Sequence, residues 1–220
     1  MALYEAFEKQ PQAKKDLILQ VAIEEFVKNG YEKTSTDIIT SRAGISKGIL
    51  FHYFKSKKNL YVYLASHVIE LITKKTIESL DDVRSDDFFE RIKEAVWLKQ
   101  EVTAPYKQEM QFITDVLLHP PKTVKLEVED LLRRKHEAYG IAFMQSRLYP
   151  KELIDESRLR SGVTKERVIQ MTAFIVEQLS AKYQTLQKNK QYNFFEDPKP
   201  LMSELDAYLD IIKHGVYKSE

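Results

Sequence analysis

The sequence predicts an all-α protein in two parts: a three-helix N-terminal domain containing a helix-turn-helix, and a larger C-terminal helical domain. Three observations predict it. Glycine and proline are scarce, six and seven in 220 residues, so few positions interrupt a helix. Apolar residues recur at spacings of three and four along successive segments, the period of an amphipathic helix. Between two such segments sits Ala43-Gly44-Ile45-Ser46, where a C-cap glycine precedes an N-cap serine. That order joins two crossed helices through a tight turn.

Composition narrows the class. Hydrophobic residues at 43% and charged residues at 30% describe a globular chain with ample material for a core. Cysteine is absent, which excludes disulfides, thiolate zinc sites and a cysteine nucleophile. The opening MALYEAFEKQ lacks the charged start and apolar run of a signal peptide. No stretch approaches the ~18 consecutive apolar residues of a membrane span. A cytoplasmic protein with no membrane partner is expected.

Each element has its own signal. Residues 1–12 are mixed and read as a loosely ordered arm or a helix extension. From 13 to 29, Leu17, Ile18, Val21, Ala22 and Phe26 form a stripe with Lys14, Lys15, Glu24 and Lys28 opposite. Gly30 ends this helix, and Tyr31 packs back on its apolar face. A short helix follows over about 36–43, capped by Thr34 or Ser35, with Thr34 and Asp37 spaced as a loose capping box. Gly44 occupies the C-cap position that favours positive φ, and Ser46 caps a second helix over 47–54. Ile39, Ala43, Ile45 and Leu50 are spaced to meet inside this elbow.

A long helix then runs from Ser56 to about Leu80 on the stripe Leu60, Leu64, Val68, Leu71, Ile72 and Ile77, and ends at the acidic break DDVRSDD. Helices are expected over 88–102, 105–119 and 122–148, stopped by Pro105, Pro120-Pro121 and Pro150. A ragged polar piece spans 151–162. A helix over 164–190 carries Val168, Met171, Thr172, Ile175, Leu179, Tyr183 and Leu186, and a last one beyond Pro198 carries Leu201, Leu205, Tyr208, Leu209 and Ile212. The domains are assigned as 1–60 and 61–220.

The elbow also carries the functional signal. Lys47 places a cation in the first turn of a helix, against a dipole that prefers anions there, and so calls for an outside anion such as phosphate. Gly48 costs a helix about 1 kcal/mol relative to Ala but lets another backbone approach closely. Phe51, His52 and Tyr53 add more aromatic surface than one side of so short a helix buries. From Lys28 to Lys58 there are seven Lys or Arg against two acids, a local charge of +5 in a chain of net charge +1. A basic patch beside a groove-sized helix is the electrostatic footprint of nucleic-acid binding. Taken singly, the turn is a common helix connection and His52 an ordinary surface histidine. Their conjunction in one order points to double-stranded DNA.

The stretch GYEKTSTDIITSRAGISKGILFHYFKSKKNL resembles the N-terminal signature of the tetracycline-repressor (TetR) family of bacterial transcription regulators, over roughly Lys14 to Leu64 without gaps. The resemblance implies that 35–54 is the helix-turn-helix of a DNA-binding domain. It implies that Thr34, Ser35 and Thr36 meet phosphates, that Lys47, Gly48, Phe51, His52 and Tyr53 face DNA, and that Lys57 clamps a phosphate. Ile49 stands where the family usually carries Thr or Ser, and Phe51 where Tyr is common, which removes two hydroxyls from that face.

The resemblance further implies a homodimer formed by the last two long helices, and a C-terminal ligand-binding domain whose small-molecule effector alters DNA affinity. A dimer also follows from the shortness of the reading helix, since two-fold dimers read palindromic half-sites. Trp97, Tyr106, Met110, Ile113, Tyr139, Phe143 and Phe174 are the candidate effector contacts. Few charges interrupt those stripes, which favours a hydrophobic ligand over a sugar phosphate. No cofactor, metal site or catalytic residue is expected: none of the five histidines has Glu three positions before it, as a di-iron bundle requires, and no P-loop, Gly-x-Ser-x-Gly or dinucleotide-binding pattern occurs. An enzyme is therefore the weaker alternative, and a helical architectural protein that binds DNA without sequence preference is the stronger one.

Overall fold

The computed structural model describes residues 4–139, 147–189, 191–193 and 196–217, apart from the side chains of 136–139 and 188. Ten helices are described: α1 (Glu5–Glu8), α2 (Gln12–Lys33), α3 (Thr36–Arg42), α4 (Lys47–Phe54), α5 (Lys57–Leu80), α6 (Phe88–Thr103), α7 (Lys107–Leu118), α8 (Lys125–Tyr139), α9 (Lys165–Lys188) and α10 (Lys199–Val216). Short 3-10 turns lead into α7 and α8 and fill part of 151–158. Among the described residues there is no strand, only an isolated bridge between Leu159 and Tyr217. None of these helices is long and apolar enough to cross a membrane. Contacts divide the chain into two compact units, residues 1–73 with 106–138, and residues 74–105 with 139–220.

In the first unit, α2 is the central support, with Ile18, Leu19, Val21, Ala22, Ile23 and Phe26 buried. Phe26 meets the rings of Tyr61 and Phe112, so α5 and α7 close on the same face. Leu17 is 45% exposed. The period places the stripe correctly but misjudges its edge by one residue, because Leu19 and Ile23 turn inward instead. Tyr31 packs back on Phe26 as expected, ring centroids 6.1 Å apart. Ion pairs from Lys58 to Glu127 and from Lys135 to Glu70 tie α8 to α5.

The largest departure from expectation is the N-terminal arm. Residues 4–10 are not loose. Phe7 is completely buried, and its ring lies 4.7 Å from Phe54 and 5.4 Å from Tyr63. Tyr4 adds a contact to Tyr63 at 4.8 Å and donates its hydroxyl to the Asn59 carbonyl at 3.3 Å. Arm, α4 and α5 thus share one aromatic cluster.

The second unit is built on α6, α9 and α10. Phe88, Phe89 and Ile92 of α6 share a buried cluster with Val168 and Leu179 of α9 and with Leu201, Leu205, Leu209 and Ile212 of α10. The acidic break has a structural use here. Asp87 caps α6, accepting from the N–H groups of Phe89 and Glu90 at 2.9 and 3.1 Å, and Glu94 accepts from the N–H groups of Arg84 and Ser85. Burial pushes the Asp87 carboxyl up, but the Lys213 ammonium and the helix N–H groups outweigh this and hold it below the usual range.

Denaturation separates the two readings of residues 1–26. Phe7→Ala removes a fully buried ring and lowers unfolding free energy by about 3–5 kcal/mol, whereas Leu17→Ala changes it by less than about 0.5 kcal/mol, as exposed positions do. Equal effects would contradict the packing of the arm.

Candidate nucleic-acid interface

The elbow is made by local rules. Ser35 caps α3, its Oγ accepting from the Asp37 N–H at 3.2 Å. The chain leaves α3 through Gly44 at φ 64°, a conformation open to glycine without steric cost. Ser46 then caps α4, its Oγ accepting from the Ile49 N–H at 3.3 Å. Ile39, Ala43 and Leu50 are buried in the angle, with Ile45 packed against them. Arg42 fixes α3 to α2 by pairing with Glu24 and with Glu25, the latter at 2.7 Å. Its hydrogen bond holds the Glu24 carboxyl below the usual range.

α4 divides cleanly. Leu50, Tyr53 and Phe54 are buried, whereas Lys47, Gly48, Ile49 and His52 are exposed and Phe51 is half-buried. At its C-terminal end Lys55 takes φ 65°, a region that costs residues with a side chain on the order of 1 kcal/mol, and turns the chain into α5.

Of the nine residues expected at DNA, Thr34, Tyr53 and Lys57 have partners on other segments of the chain. Thr34 is buried, its Oγ1 lying 2.6 Å from the Gly30 carbonyl and 3.0 Å from that of Glu25. The Tyr53 hydroxyl accepts from Lys14 Nζ at 3.0 Å. Lys57 directs its ammonium at the carbonyls of Tyr31, Glu32 and Thr34 at 2.8, 3.2 and 3.2 Å. These carbonyls lie in the turn that follows the kink at Gly30, where φ is 69°. All three Lys57 donors are therefore engaged within the chain. Ser35 and Thr36 are half-buried at the start of α3, leaving Lys47, Gly48 and His52 as the fully outward group.

The +5 window is also partly neutralised from outside. Arg42 pairs with Glu24 and Glu25, and Lys58 with Glu127. Lys47 finds an anion within the chain, Asp37 at 2.8 Å. Both side chains of that pair are more than half exposed, and such pairs contribute little and are readily exchanged.

The structure also brings the arm to the interface. An open cleft of about 500 Å³ lies between α1 and α4, lined by Ala6, Lys9, Gln10, Ser46, Gly48, Ile49, His52 and Tyr53. The signal in the sequence was the aromatic pair Tyr4 and Phe7, three residues apart on one side of a helical turn.

The expected effector contacts fall in both units. Tyr106 and Met110 are half-buried and Ile113 is core in the first unit, whereas Trp97 and Phe174 are 42% and 60% exposed in the second. The Tyr139 side chain and Phe143 lie outside the described residues. Among the described residues, Arg91 Nε, Gln100 Nε2 and Thr172 Oγ1 are buried without a hydrogen-bond partner, and no group of three or more His, Asp or Glu is placed to hold a metal ion.

Comparison with known proteins gives a consistent result. The family model for bacterial regulatory proteins of the tetR family matches residues 18–64. The transcriptional regulator QacR of Staphylococcus aureus is 26% identical over 169 residues, 74% of this chain and 87% of that protein. The regulator YhgD of Bacillus subtilis is 22% identical over 166 residues, 76% of this chain and 80% of that one. A solved TetR-family regulator from Chloroflexus aurantiacus shares the fold with a TM-score of 0.56 at 19% identity, covering 98% of both chains. FadR of Bacillus subtilis, solved with stearoyl-CoA, shares it with a TM-score of 0.53 at 16% identity, covering 90% of this chain and 96% of that one.

A Cβ built on Gly48 meets only Ser46 Oγ, at 3.8 Å. Nothing inside the chain requires glycine there. Gly48→Ala is therefore expected to raise unfolding free energy by up to about 1 kcal/mol, measured by chemical denaturation. A loss of stability would mean that the fold itself needs the glycine.

Proposed function

We infer that this chain, which belongs to the TetR family of DNA-binding transcriptional regulators, is a cytoplasmic repressor whose dimer reads a palindromic operator. A lipophilic small molecule releases it. The observation that carries the reading is the outward face of α4. Lys47, Gly48 and His52 stand exposed on a helix whose other face is anchored by Leu50, Tyr53 and Phe54. The major groove admits one α-helix, and its floor presents donors and acceptors that such side chains read. Ser35 and Thr36 at the α3 N-terminus supply N–H and hydroxyl groups suited to phosphate.

One eight-residue helix reads too few bases for specificity, so a two-fold pair is required. The second unit offers a surface for it. Met171 and Phe174 are 54% and 60% exposed on α9, and Tyr208 and Ile211 are 39% and 68% exposed on α10. Members of each pair stand three residues apart and share a helix face. Large apolar side chains left open on neighbouring helices favour a subunit partner.

The effector reading draws on the exposed Trp97, the unpartnered Thr172 hydroxyl and Gln100 amide, and the fatty-acyl ligand of a relative that shares the fold. Together they suit an apolar molecule with a small polar group. Release follows from linkage: effector and DNA favour different arrangements of one dimer, so each weakens the other by a typical coupling of about 1–3 kcal/mol.

Fluorescence anisotropy with the duplex upstream of the protein's own gene tests operator recognition against a shuffled duplex. At physiological salt the specific duplex binds about 10³-fold or more tighter, and Lys47→Ala or Gly48→Ala removes most of that gap. Equal affinity for both would favour the architectural alternative. Light scattering tests the dimer: a mass of twice the 25.8 kDa chain is expected, falling to one chain when Phe174→Glu and Ile211→Glu are combined. A monomeric unaltered chain at micromolar concentration would refute the dimer.

A further inference from the structure

We propose that the N-terminal arm is itself part of the DNA-binding surface, with Lys9 and Gln10 holding the sugar-phosphate strand that flanks α4 on its Gly48–His52 side. The inference rests on the DNA-binding reading of α4 and extends it to a segment that no family motif includes, since the matched region begins at residue 18.

The arm is held in place for such a role. Phe7 is completely buried, within 4.7 Å of the Phe54 ring and 5.6 Å of the Tyr53 ring. Glu8 accepts from the Tyr63 hydroxyl, and Lys14 Nζ bridges Gln10 Oε1 at 3.1 Å and the Tyr53 hydroxyl at 3.0 Å. Because Tyr53 and Phe54 belong to α4, any placement of that helix in a groove places the arm beside it.

The space between them has the form a strand needs. Ala6, Lys9 and Gln10 make one wall of the cleft and Gly48, Ile49 and His52 the other, enclosing about 500 Å³ that opens to solvent. The missing side chain at Gly48 keeps the α4 wall low. No carboxylate lines the cleft, so an entering phosphate meets a cation, an imidazole and the Gln10 amide, whose Nε2 donates one hydrogen to the Ala6 carbonyl at 3.0 Å and keeps a second. The Lys9 side chain is 69% exposed and pairs with Glu5 at 2.7 Å, four residues away on the same turn of helix. Pairs of this kind are weak and give way to a better anion. A helix seated in the major groove has a phosphate strand along each flank, and the strand on the Gly48 side meets this cleft.

The test is anisotropy with the full chain and the tightest duplex recovered by selection from a random-sequence library, over a series of salt concentrations. Each phosphate contact contributes about 0.9 to the slope of log affinity against log salt. Lys9→Ala should shrink that slope by about 2 for the two subunits and weaken binding several-fold, with an unchanged melting transition. Glu5→Gln frees Lys9 and should tighten binding, an effect that disappears when Lys9→Ala is also present. An unchanged slope and affinity for Lys9→Ala would overturn the inference and leave the regulator reading intact. Failure of the unaltered chain to select any duplex would overturn both.

Discussion

The structure of the interface depends on one constraint: an eight-residue helix cannot hold its own shape in water. Isolated helices shorter than about 12–15 residues are marginal, so the geometry of α4 comes from whatever its inner face is buried against. Leu50, Tyr53 and Phe54 supply that face. Phe7 from the arm, Tyr63 from α5, Ile39 from α3 and Ala43 just after it complete the cluster. Capping by Ser46 and Lys57's hold on the end of α2 trim the same arrangement. The inner face of α4 is ring and branched aliphatic, which leaves its outer face free to carry Lys47 and His52.

Charge is arranged in two tiers around that anchor. The inner tier is structural: Arg42 pairs with Glu24 and with Glu25, whose side chain is 6% exposed, and ties α3 to α2. The outer tier is exchangeable: Lys47 with Asp37, and Lys9 with Glu5, are exposed pairs. Exposed pairs are screened by salt and contribute little to stability. A polyanion replaces their carboxylates with phosphates at small cost, whereas the buried Glu25 is held by Arg42 within the chain. A count of lysines and arginines along the chain does not separate the tiers.

The second unit follows a different logic. Its core is continuous from α6 through α9 to α10, yet Met171, Phe174, Tyr208 and Ile211 stay open to solvent. The period placed Met171 and Tyr208 on the apolar stripes of their helices, and it reports an apolar side without reporting its width or what covers it. The last two helices carry more apolar surface than their own unit covers, which is the physical reason a second copy suits them.

What the sequence determined by itself was local. The helix start at Ser46, the one at Thr34 or Ser35, the turn at Gly44, the span of α4, and most of the supporting stripe of α2 follow from capping, glycine geometry and the 3.6-residue period, each decided within a few residues along the chain. The outward placement of Lys47, Gly48 and His52 was expected from the family resemblance, which put Phe51 and Tyr53 on the same face, although Tyr53 is buried. Tertiary structure decided the partners. Lys57, expected as a phosphate clamp, also meets the carbonyls of Tyr31, Glu32 and Thr34, which the fold brings to it from more than 20 residues away. Thr34 reads as a contact until its hydroxyl turns to Glu25 and Gly30. The arm reads as loose or as a helix extension until Phe7 meets Tyr63. Periodicity states that a face is buried but carries no information about what buries it, because that depends on contacts between segments far apart in the chain.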